Sequence, residues 1–375
     1  MAQISVLVAD DSAFMRKVVS DLIEADPEII VVGAARNGSD CIQKAMSLRP
    51  DVITLDVEMP VMDGLAALPT LVTELGIPVV MLSSLTQAGA DVTIRALSLG
   101  AVDFVPKPSG AISLDIGVVR DDLVRKIKAA AAISAGRVRA LARDLRTPAP
   151  APASAPIRTQ TLSTTPTTPT TPTMPTMPTR PSTARAAARK VVVIGTSTGG
   201  PRALTQVIPW LPPNLPAGVL IVQHMPAGFT RSLAERLNDM SRIKVTEAQG
   251  GETIAEGEAL IAAGGRHMLV TADGALALDD SPPMHGVRPA VDMTMNSAVD
   301  VFGRRMVGVI MTGMGSDGAD AMARVKLAGG KTIAEHESTC VVYGMPRSVV
   351  ERGVADKVVP LPAIADEIVN AVLSV

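Results

Sequence analysis

Short apolar runs alternate with helix-like segments through the first third of the chain. The runs lie at 4–9, 29–34, 52–55, 79–82 and 101–105. Between them, segments such as 13–24 and 40–48 carry apolar residues at helical spacing. Buried parallel strands read as continuous apolar runs, and strands that alternate with helices form βαβ units. The pattern therefore predicts an α/β fold built on a doubly wound, mainly parallel sheet.

The second half of the chain repeats this alternation. Apolar runs interleaved with helical stretches lie at 191–194, 218–222 and 306–311. Three shorter runs, spaced like hairpins, lie at 259–262, 267–270 and 275–278. We therefore predict a second doubly wound, mainly parallel sheet. In such sheets functional side chains collect at the carboxyl ends of the strands.

A proline-rich segment separates the two halves. Proline and threonine dominate from Thr147 to Thr183, and proline recurs at every third position from Pro166 to Pro181. This repeat favours polyproline II, so it predicts a semi-rigid spacer that reaches ~100 Å at ~3.1 Å per residue. A passive tether and a recognition role both remain open. The predicted division is a first domain at 1–140, a disordered Thr/Pro-rich linker at 141–188 and a second domain at 189–375.

Composition narrows the classes of function. Of 375 residues, 47% are apolar and 19% are charged, and the net charge is −2. A nucleic-acid surface needs a basic stripe or stacking aromatics, whereas the chain has one Trp, one Tyr and four Phe. No apolar stretch is long enough to span a bilayer, and no basic segment precedes the run at 6–8 as a signal peptide would require. We expect a cytoplasmic protein without nucleic-acid partners or membrane insertion.

The two cysteines, Cys41 and Cys340, fall in different predicted domains. Neither a disulfide framework nor a CxxC metal site is therefore available. Both are expected to be buried, apolar in character and free.

Acidic residues follow two strands of the first predicted sheet. Asp10 and Asp11 come after the first apolar run, and Asp56 comes after the third. Carboxylates gathered at one sheet edge repel each other unless a hard cation such as Mg²⁺ binds between them. Ser83 follows the fourth run and Lys107 the fifth. Because a hydroxyl and an ammonium complete an anion site, the pattern predicts a cation-assisted site for an anionic group.

Over about residues 3 to 125, these motifs resemble the response-regulator receiver domain, which has a flavodoxin-like fold. The resemblance implies that Asp56 accepts a phosphoryl group from a histidine kinase. It also implies a Mg²⁺ site with ligands from Asp11, Asp56 and the backbone carbonyl of Glu58, supported through water by Asp10. Lys107 would pair with the phosphoryl oxygens. The implied switch residues are Ser83, which would move toward the phosphoryl group, and Phe104.

A glycine-rich turn follows the first apolar run of the second domain. It reads Gly195-Thr196-Ser197-Thr198-Gly199-Gly200-Pro201, and a helical pattern begins after it. A strand, a tight turn and a helix are the context that a G-x-S-x-G nucleophile elbow requires. The competing interpretation, a phosphate-binding loop, lacks both the Gly-Lys-Ser/Thr and the Gly-x-Gly-x-x-Gly pattern. The motif therefore favours Ser197 as a nucleophile.

A serine nucleophile needs a general base within hydrogen-bond reach. His224 ends the apolar run at 219–223, so its imidazole would emerge beside Ser197 if the two strands are neighbours. The other histidines are expected at the surface or in loops, and they are His267, His285 and His336.

The base in turn needs a carboxylate that holds its tautomer. Asp317 follows the run at 306–311 in the glycine-rich turn Thr312-Gly313-Met314-Gly315-Ser316-Asp317-Gly318. It is the candidate orienting carboxylate. A role as a helix cap is an equally open alternative.

The chain order Ser197, His224, Asp317 differs from that of the α/β-hydrolases, so the elbow alone does not assign that fold. Residues 190 to 373 instead resemble the catalytic domain of the chemotaxis protein-glutamate methylesterase of the CheB type, an α/β serine hydrolase domain. The resemblance rests on six segments in family order: Gly195-Thr196-Ser197-Thr198-Gly199-Gly200, Gln223-His224-Met225-Pro226, Gly264-Gly265-Arg266-His267-Met268, Arg288-Pro289-Ala290-Val291-Asp292, Thr312-Gly313-Met314-Gly315-Ser316-Asp317-Gly318-Ala319 and Cys340-Val341-Val342-Tyr343-Gly344-Met345-Pro346. It implies that Ser197 is the nucleophile, His224 the base and then the acid, and Asp317 its orienting partner. Two departures from the family pattern are Thr196 in place of alanine and His336 in place of an acidic residue.

The resemblance implies hydrolysis of glutamate 5-methyl esters on the cytoplasmic domains of chemoreceptors, with release of methanol and without a cofactor. It also implies deamidation of specific receptor glutamines, a role in chemotactic adaptation, and two partners: methylated chemoreceptors and a chemotaxis histidine kinase. We expect backbone N–H groups near Thr198 and Met314 to form the oxyanion hole. We also expect the unphosphorylated receiver to cover the Ser197 cleft with its surface around Phe104 and Val105, and phosphorylation to release it.

The rival class is a receiver protein whose second domain only binds a partner, in which Ser197 would be a structural turn residue. Ester hydrolysis that is lost in Ser197→Ala separates the two classes. A DNA-binding output would need a basic recognition helix, which the sequence lacks.

Overall fold

The computed structural model describes residues 3–107, 116–144 and 186–375. Most of the predicted linker, including every proline of its three-residue repeat, lies outside these residues. Each described half of the chain is built on its own parallel sheet, as the apolar runs predict.

The first sheet has five parallel strands in the order β2-β1-β3-β4-β5. The strands are β1 (Ile4–Ala9), β2 (Ile29–Ala35), β3 (Val52–Asp56), β4 (Val79–Ser83) and β5 (Asp103–Pro106). This is the strand order of flavodoxin-like folds, whose ligands bind at the carboxyl edge. Every residue of β3 and β4 is buried, because helices cover both faces of the sheet.

Helices of this half begin where a short polar side chain caps the backbone. The helices are α1 (Ala13–Glu24), α2 (Gly38–Leu48), α3 (Gly64–Pro69, continued by a π-helical stretch at Thr70–Leu75), α4 (Gln87–Ser98), α5 (Ile116–Ala131) and α6 (Ala135–Asp144). The side chains of Ser12, Asn37 and Thr86 accept backbone N–H groups at the starts of α1, α2 and α4. Helix α6 extends past residue 140, where the sequence predicts the first domain to end.

The second sheet has seven parallel strands in the order β14-β13-β12-β6-β7-β9-β8. The strands are β6 (Val191–Thr196), β7 (Gly218–Gln223), β8 (Lys244–Glu247), β9 (Glu258–Ile261), β12 (Met306–Ile310), β13 (Lys331–Glu335) and β14 (Lys357–Val359). A separate antiparallel hairpin joins β10 (His267–Val270) to β11 (Leu276–Asp279). The prediction that the run at 259–262 belongs with the hairpins is wrong, because β9 pairs in parallel with β7.

The helices of the second half are α7 (Gly200–Val207), α8 (Phe229–Met240), α9 (Val291–Phe302), α10 (Ala319–Leu327), α11 (Met345–Glu351) and α12 (Leu361–Ser374). Strands β6 and β7 are fully buried at the centre of the sheet. Both cysteines are buried and free, as expected. None of the helices in the described ranges is long and apolar enough to cross a membrane.

Candidate functional site

Strand β6 delivers Ser197 to the carboxyl edge of the second sheet. The Ser197 N–H donates to the Thr312 carbonyl at 3.0 Å, and the Ser197 carbonyl accepts the N–H of Gly200 at 2.8 Å. Gly199 has a left-handed φ of 79°, and a Cβ there would lie 2.5 Å from the Val341 side chain. The elbow therefore requires glycine at this position for both its conformation and its space.

Strand β7 is a direct neighbour of β6, and it therefore brings His224 to the same cleft as Ser197. Thr196 pairs with Gln223 in the parallel ladder, so the residues that follow them leave the sheet side by side. The Gln223 amide donates to the carbonyls of Ser197 at 3.0 Å and of His224 at 3.1 Å. The Thr196 hydroxyl donates to the Gln223 side-chain oxygen at 2.7 Å. Gln223, which has no predicted role, thus ties the two turns together.

Strand β12 lies on the other side of β6 and leads to Asp317. Its Oδ2 lies 2.7 Å from His224 Nε2, and both side chains are nearly buried. The same carboxylate accepts the N–H groups of Val291 at 2.6 Å and Asp292 at 3.0 Å. The helix whose first N–H groups Asp317 accepts is α9, which begins at Val291. Asp317 does not cap α10, the helix that follows it in the chain.

Electrostatics keep Asp317 in its charged form. Burial pushes the pKa of Asp317 upward, but the hydrogen bond and charge of His224, with the two backbone donors, outweigh burial and hold the pKa below its usual value. Since Nε2 of His224 is engaged by this carboxylate, Nδ1 is the ring nitrogen that stays available for another partner.

The loop after β12 packs directly against the elbow. A Cβ at Gly313 would lie 2.8 Å from the Ser197 Cβ, and the N–H groups of Gly344 and Met345 hold the Gly313 carbonyl at 3.0 and 2.8 Å. Within the described ranges, the backbone N–H groups of Thr198 and Met314 donate to no protein acceptor. They remain the predicted oxyanion donors.

The remaining histidines occupy three different environments. His267 is fully buried, so the expectation of a surface or loop position is wrong for this residue. Its Nδ1 accepts the N–H of Ala290 at 3.1 Å and its Nε2 lies 3.2 Å from the Pro282 carbonyl. It therefore joins a hairpin strand to the segment that precedes α9. His336 is exposed and lies 2.9 Å from Ser338 Oγ.

His285 and Asp292 belong to the site although no role is predicted for them. His285 Nε2 lies 2.9 Å from Asp292 Oδ2, and His285 lines the same cleft as Ser197 and His224. Asp292 is buried, and burial together with the charge of Asp317 raises its pKa. The sequence signal for Asp292 is its position at the end of the segment from Arg288 to Asp292, which matches the family pattern.

The predicted phosphorylation site assembles at the carboxyl edge of the first sheet. Carboxylate oxygens of Asp10, Asp11 and Asp56 lie within 4.8 Å of one another. Lys107 Nζ lies 2.9 Å from Asp10 and 2.7 Å from Asp56. Burial raises the pKa of Asp56 to about 6, against the opposing effect of Lys107. One ammonium facing three carboxylates leaves excess negative charge, and a set of hard oxygen donors fits Mg²⁺.

The predicted switch residues connect this site to α4. Ser83 is buried, and its hydroxyl lies 3.2 Å from the Gly89 carbonyl and 2.6 Å from the Thr93 hydroxyl. In this structure Ser83 therefore bonds to the helix. The backbone N–H of Glu58 opposes the rise in the pKa of Asp56, whereas metal ligation by the Glu58 carbonyl stays a prediction.

Helix α4 and strand β5 of the receiver contact helix α8 of the second domain. The Phe104 ring stacks on Phe229 with centroids 4.4 Å apart and planes 28° apart. Nearby, the Gln87 amide donates to the Ser232 hydroxyl at 2.9 Å. Phe104 is only 2% exposed, so this contact buries the predicted switch aromatic.

Receiver side chains also reach the elbow itself. The Thr198 hydroxyl donates to the Asp103 carboxylate at 2.5 Å, and Arg125 Nη1 lies 4.0 Å from the Met314 sulfur. A cleft of about 760 Å³ remains between the domains, with Ser197 and His224 on one wall and receiver residues on the other. Both predicted oxyanion residues are thus in contact with the receiver.

Comparison with known proteins matches both halves of the chain. Residues 192–368 match the CheB methylesterase family, and residues 6–116 match the response regulator receiver domain. A protein-glutamate methylesterase/protein-glutamine glutaminase of Symbiobacterium thermophilum is 54% identical over 369 residues, which span 98% of this chain and 97% of the relative. A protein of the same name from Pyrococcus abyssi is 46% identical over 378 residues, which span 99% of this chain and 94% of the relative. The solved catalytic domain of Thermotoga maritima CheB methylesterase is 47% identical and covers 48% of this chain and 97% of its own, with a TM-score of 0.47.

Proposed function

The chain belongs to the protein-glutamate methylesterase/protein-glutamine glutaminase family, as its resemblance predicts, and we propose that phosphorylation of Asp56 controls demethylation of chemoreceptors at Ser197. The family and the enzyme class are those of its relatives. The receptor substrate, the histidine kinase donor, the cytoplasmic location and the control by phosphorylation are the proposed part.

The proposed chemistry is acyl transfer through Ser197. His224 Nδ1 takes the proton of the Ser197 hydroxyl as its oxygen attacks the ester carbon of a glutamate 5-methyl ester. The tetrahedral intermediate collapses when the imidazolium returns that proton to the leaving methoxide, which departs as methanol. Water activated by His224 then hydrolyses the acyl-enzyme to a glutamate side chain and free Ser197. Attack on a glutamine amide by the same route releases ammonia.

Two groups stabilise the charges that form in this reaction. The N–H groups of Thr198 and Met314 have no acceptor among the described residues, and they would donate to the oxyanion as it develops. Asp317, fixed by two backbone donors, faces the imidazolium through Nε2 and keeps Nδ1 directed to the serine.

At the receiver site, Asp56 is the proposed phosphoryl acceptor. Bound Mg²⁺, held by Asp11, Asp56 and the carbonyl of Glu58 with Asp10 acting through water, would supply positive charge for the phosphoryl oxygens. Lys107 already contacts the Asp56 carboxylate and would follow the new oxygens. The excess of carboxylates over cations at this edge supports such a site.

The observation that carries the proposed control is the hydrogen bond from Thr198 to Asp103 of the receiver. It occupies a side chain next to the nucleophile, and Arg125 lies against the other predicted oxyanion residue. The receiver therefore narrows the approach of a substrate chain to Ser197, which supports restraint by covering.

A route for release runs through α4. A phosphoryl group on Asp56 would attract the Ser83 hydroxyl away from Gly89 and Thr93. These partners lie on α4, the helix whose Gln87 bonds to α8. Loosening this helix would weaken the same surface on which Phe104 stacks.

The proposal is tested by methanol release from a methylated chemoreceptor, measured with full-length protein in Mg²⁺ with and without a small-molecule phosphodonor. Wild type should respond to the donor, Ser197→Ala should release no methanol, and Asp56→Ala should keep the low basal rate without a response. His224→Ala should lose far more turnover than the control His336→Ala, whose side chain is exposed. Methanol release by Ser197→Ala at the wild-type rate would contradict the esterase assignment, and donor stimulation of Asp56→Ala would contradict the phosphorylation site.

A further inference from the structure

A second buried carboxylate lies directly behind the Ser197 site. Asp292 is 2% exposed, and its Oδ1 accepts the N–H of Ala321 at 2.8 Å in the first turn of α10. Asp317, which precedes α10, in turn accepts N–H groups of Val291 and Asp292 at the start of α9. The Asp292 carboxylate therefore lies at the N-terminus of α10, and the Asp317 carboxylate lies at the N-terminus of α9. The N-terminus of a helix stabilises negative charge.

His285 faces both carboxylates from the cleft side. Its Nε2 lies 2.9 Å from Asp292 Oδ2 and 4.0 Å from Asp317 Oδ1. Its side chain is 41% exposed, in contrast to 3% for Asp292. His285 also lines the cleft that holds Ser197 and His224. His285, which can offset the buried charge of Asp292, is thus the residue that faces solvent and the cleft.

We propose that Asp292 is a positioning residue of the Ser197 site, which fixes Asp317 and adds a second negative charge behind His224, and that His285 offsets part of this charge. The inference rests on the proposed function for the roles of Ser197 and His224. Asp292 does not touch the reacting atoms, so it acts only through Asp317 and through its field.

The physical argument concerns the imidazolium that forms when His224 takes the serine proton. Negative charge nearby favours the charged ring, and a positive charge nearby opposes it. Burial of Asp292 beside Asp317 costs free energy, since like charges raise each other's pKa. The N-termini of α9 and α10 offset part of that cost, which keeps the two carboxylates together. Positive charge on His285 would offset only part of the field of Asp292 at His224.

Other charged groups also face His224 across the cleft. They are Arg288 of the same domain and Asp103, Asp121, Asp122, Arg125 and Lys126 of the receiver. All of them are unchanged in the variants below when phosphorylation is kept the same. A difference between variants therefore reports on Asp292 and His285.

The first test is the titration of the His224 imidazole by NMR in the full-length protein, whose four histidines can be assigned by substitution. Asp292→Asn keeps an oxygen acceptor for Ala321 but removes the charge, so the His224 midpoint should fall by about one pH unit. The acid limb of the pH profile of kcat/KM should move down with it. A residue that only capped a helix would leave both midpoints in place.

The second test uses His285→Asn at the exposed partner, where folding is not at risk. It removes the balancing positive charge, so the midpoint should move upward by about half a pH unit, opposite to Asp292→Asn. His336→Asn is the matched control and should shift nothing. Shifts of the same sign in the two variants, or an unmoved midpoint in Asp292→Asn, would overturn the proposal. If wild type released no methanol, the proposed function would fail, while the NMR midpoints would still decide this inference.

Discussion

Asp56 of the receiver and Asp317 of the esterase domain are two nearly buried aspartates, each 2.7 Å from a single basic nitrogen. Each lies at or beyond the carboxyl end of a strand in a parallel sheet. Their pKa values nevertheless shift in opposite directions: the pKa of Asp56 is raised to about 6, and the pKa of Asp317 is lowered.

Neighbours other than the cation explain the difference. Asp317 accepts two backbone N–H groups from the start of α9 and has His224 as a partner of its own. Asp56 shares Lys107 with Asp10, whose charge opposes its ionisation. Asp317 also has a neighbouring carboxylate, Asp292, so the hydrogen-bond donors of Asp317, rather than the distance to the cation, account for the opposite direction of its shift. Asp317 thus already has the partners that its charged form needs, whereas Asp56 would gain such partners only when other groups bind.

Exchange of each aspartate for asparagine should give the largest effect. Asp317→Asn should lower turnover by about 10⁴-fold, because an amide that accepts poorly no longer fixes the tautomer with Nδ1 free. Asp56→Asn should leave the turnover without phosphodonor within about twofold of wild type, because the esterase site is untouched. Methanol release without phosphodonor measures both. Comparable losses of turnover in the two variants would contradict the separate roles of the two aspartates.

Stability should respond with opposite signs to the same exchanges. An acid whose pKa is higher in the folded state binds its proton more tightly there, so Asp56 favours folding at low pH and this contribution is lost as pH rises from its ordinary 3.8 to about 6. Asp317, with a lowered pKa, favours folding above 3.8, and that contribution is lost as pH falls through its folded-state pKa. At pH 7, Asp56→Asn should raise the free energy of unfolding of the receiver by about 2 kcal/mol. Asp317→Asn should lower that of the esterase domain by about 2 kcal/mol.

The two domains can be followed separately in this measurement. Trp210 is the single tryptophan and reports the unfolding of the esterase domain in urea, while hydrogen exchange of receiver amides reports the other half. The stabilisation by Asp56→Asn should disappear near pH 4. A stabilisation that persisted unchanged at pH 4 would show that charge is not its cause.

Phe104→Ala should weaken the contact between the domains. Loss of the stacking on Phe229 removes about 0.5–1.5 kcal/mol of interface energy. The basal rate should therefore rise by about two- to tenfold, with less further stimulation by a phosphodonor. Phe14→Ala, at a ring that is 57% exposed on α1, is the control and should leave the basal rate unchanged. A basal rate that stays low in Phe104→Ala would remove the stacked pair from the restraint.

Thr196→Ala should have the smallest effect. The hydroxyl donates to Gln223, which in turn holds the carbonyls of Ser197 and His224, so its loss should cost about 1 kcal/mol and lower kcat by about threefold. Thr205→Ala is the control, since its hydroxyl bonds only within α7. Steady-state kinetics with the methylated receptor distinguishes the two. A loss beyond a hundredfold would place Thr196 in the chemistry itself.

Elements with continuous apolar runs are those that the sequence predicts well. The strands β1 and β10 begin and end where their runs do, and Ser197, His224 and Asp317 follow strands that prove to be adjacent. The sequence predicts the run that forms β9 as part of a hairpin, because an apolar pattern carries no information on which strand will be its partner. Likewise the burial of His267 depends on a hydrogen bond to Ala290, 23 residues away.

Charge networks and contacts between the domains could not be predicted from the sequence. In the sequence, Asp292 looks like an ordinary acidic residue and Asp317 like a partner for His224. Only the packing of α9 on α10 shows that each carboxylate accepts N–H groups at the start of the other helix. The bond between Asp103 and Thr198 joins residues 95 positions apart in different domains. Sequence periodicity describes the face of one element at a time, so contacts between such faces need the structure.

The position of β6 between β7 and β12 has a consequence for the order in which the protein becomes active during synthesis. The strand that carries Ser197 stays unpaired on one side until residues 306–310 have been made, because β12 is its second neighbour. By then the whole receiver, with Phe104 in β5, has left the ribosome, and domains generally fold as they emerge. The surface that covers the cleft is therefore complete before the cleft exists. In a synthesis time course, receiver protection from protease should precede methanol release, and an esterase site that matures first would exclude this sequence of events.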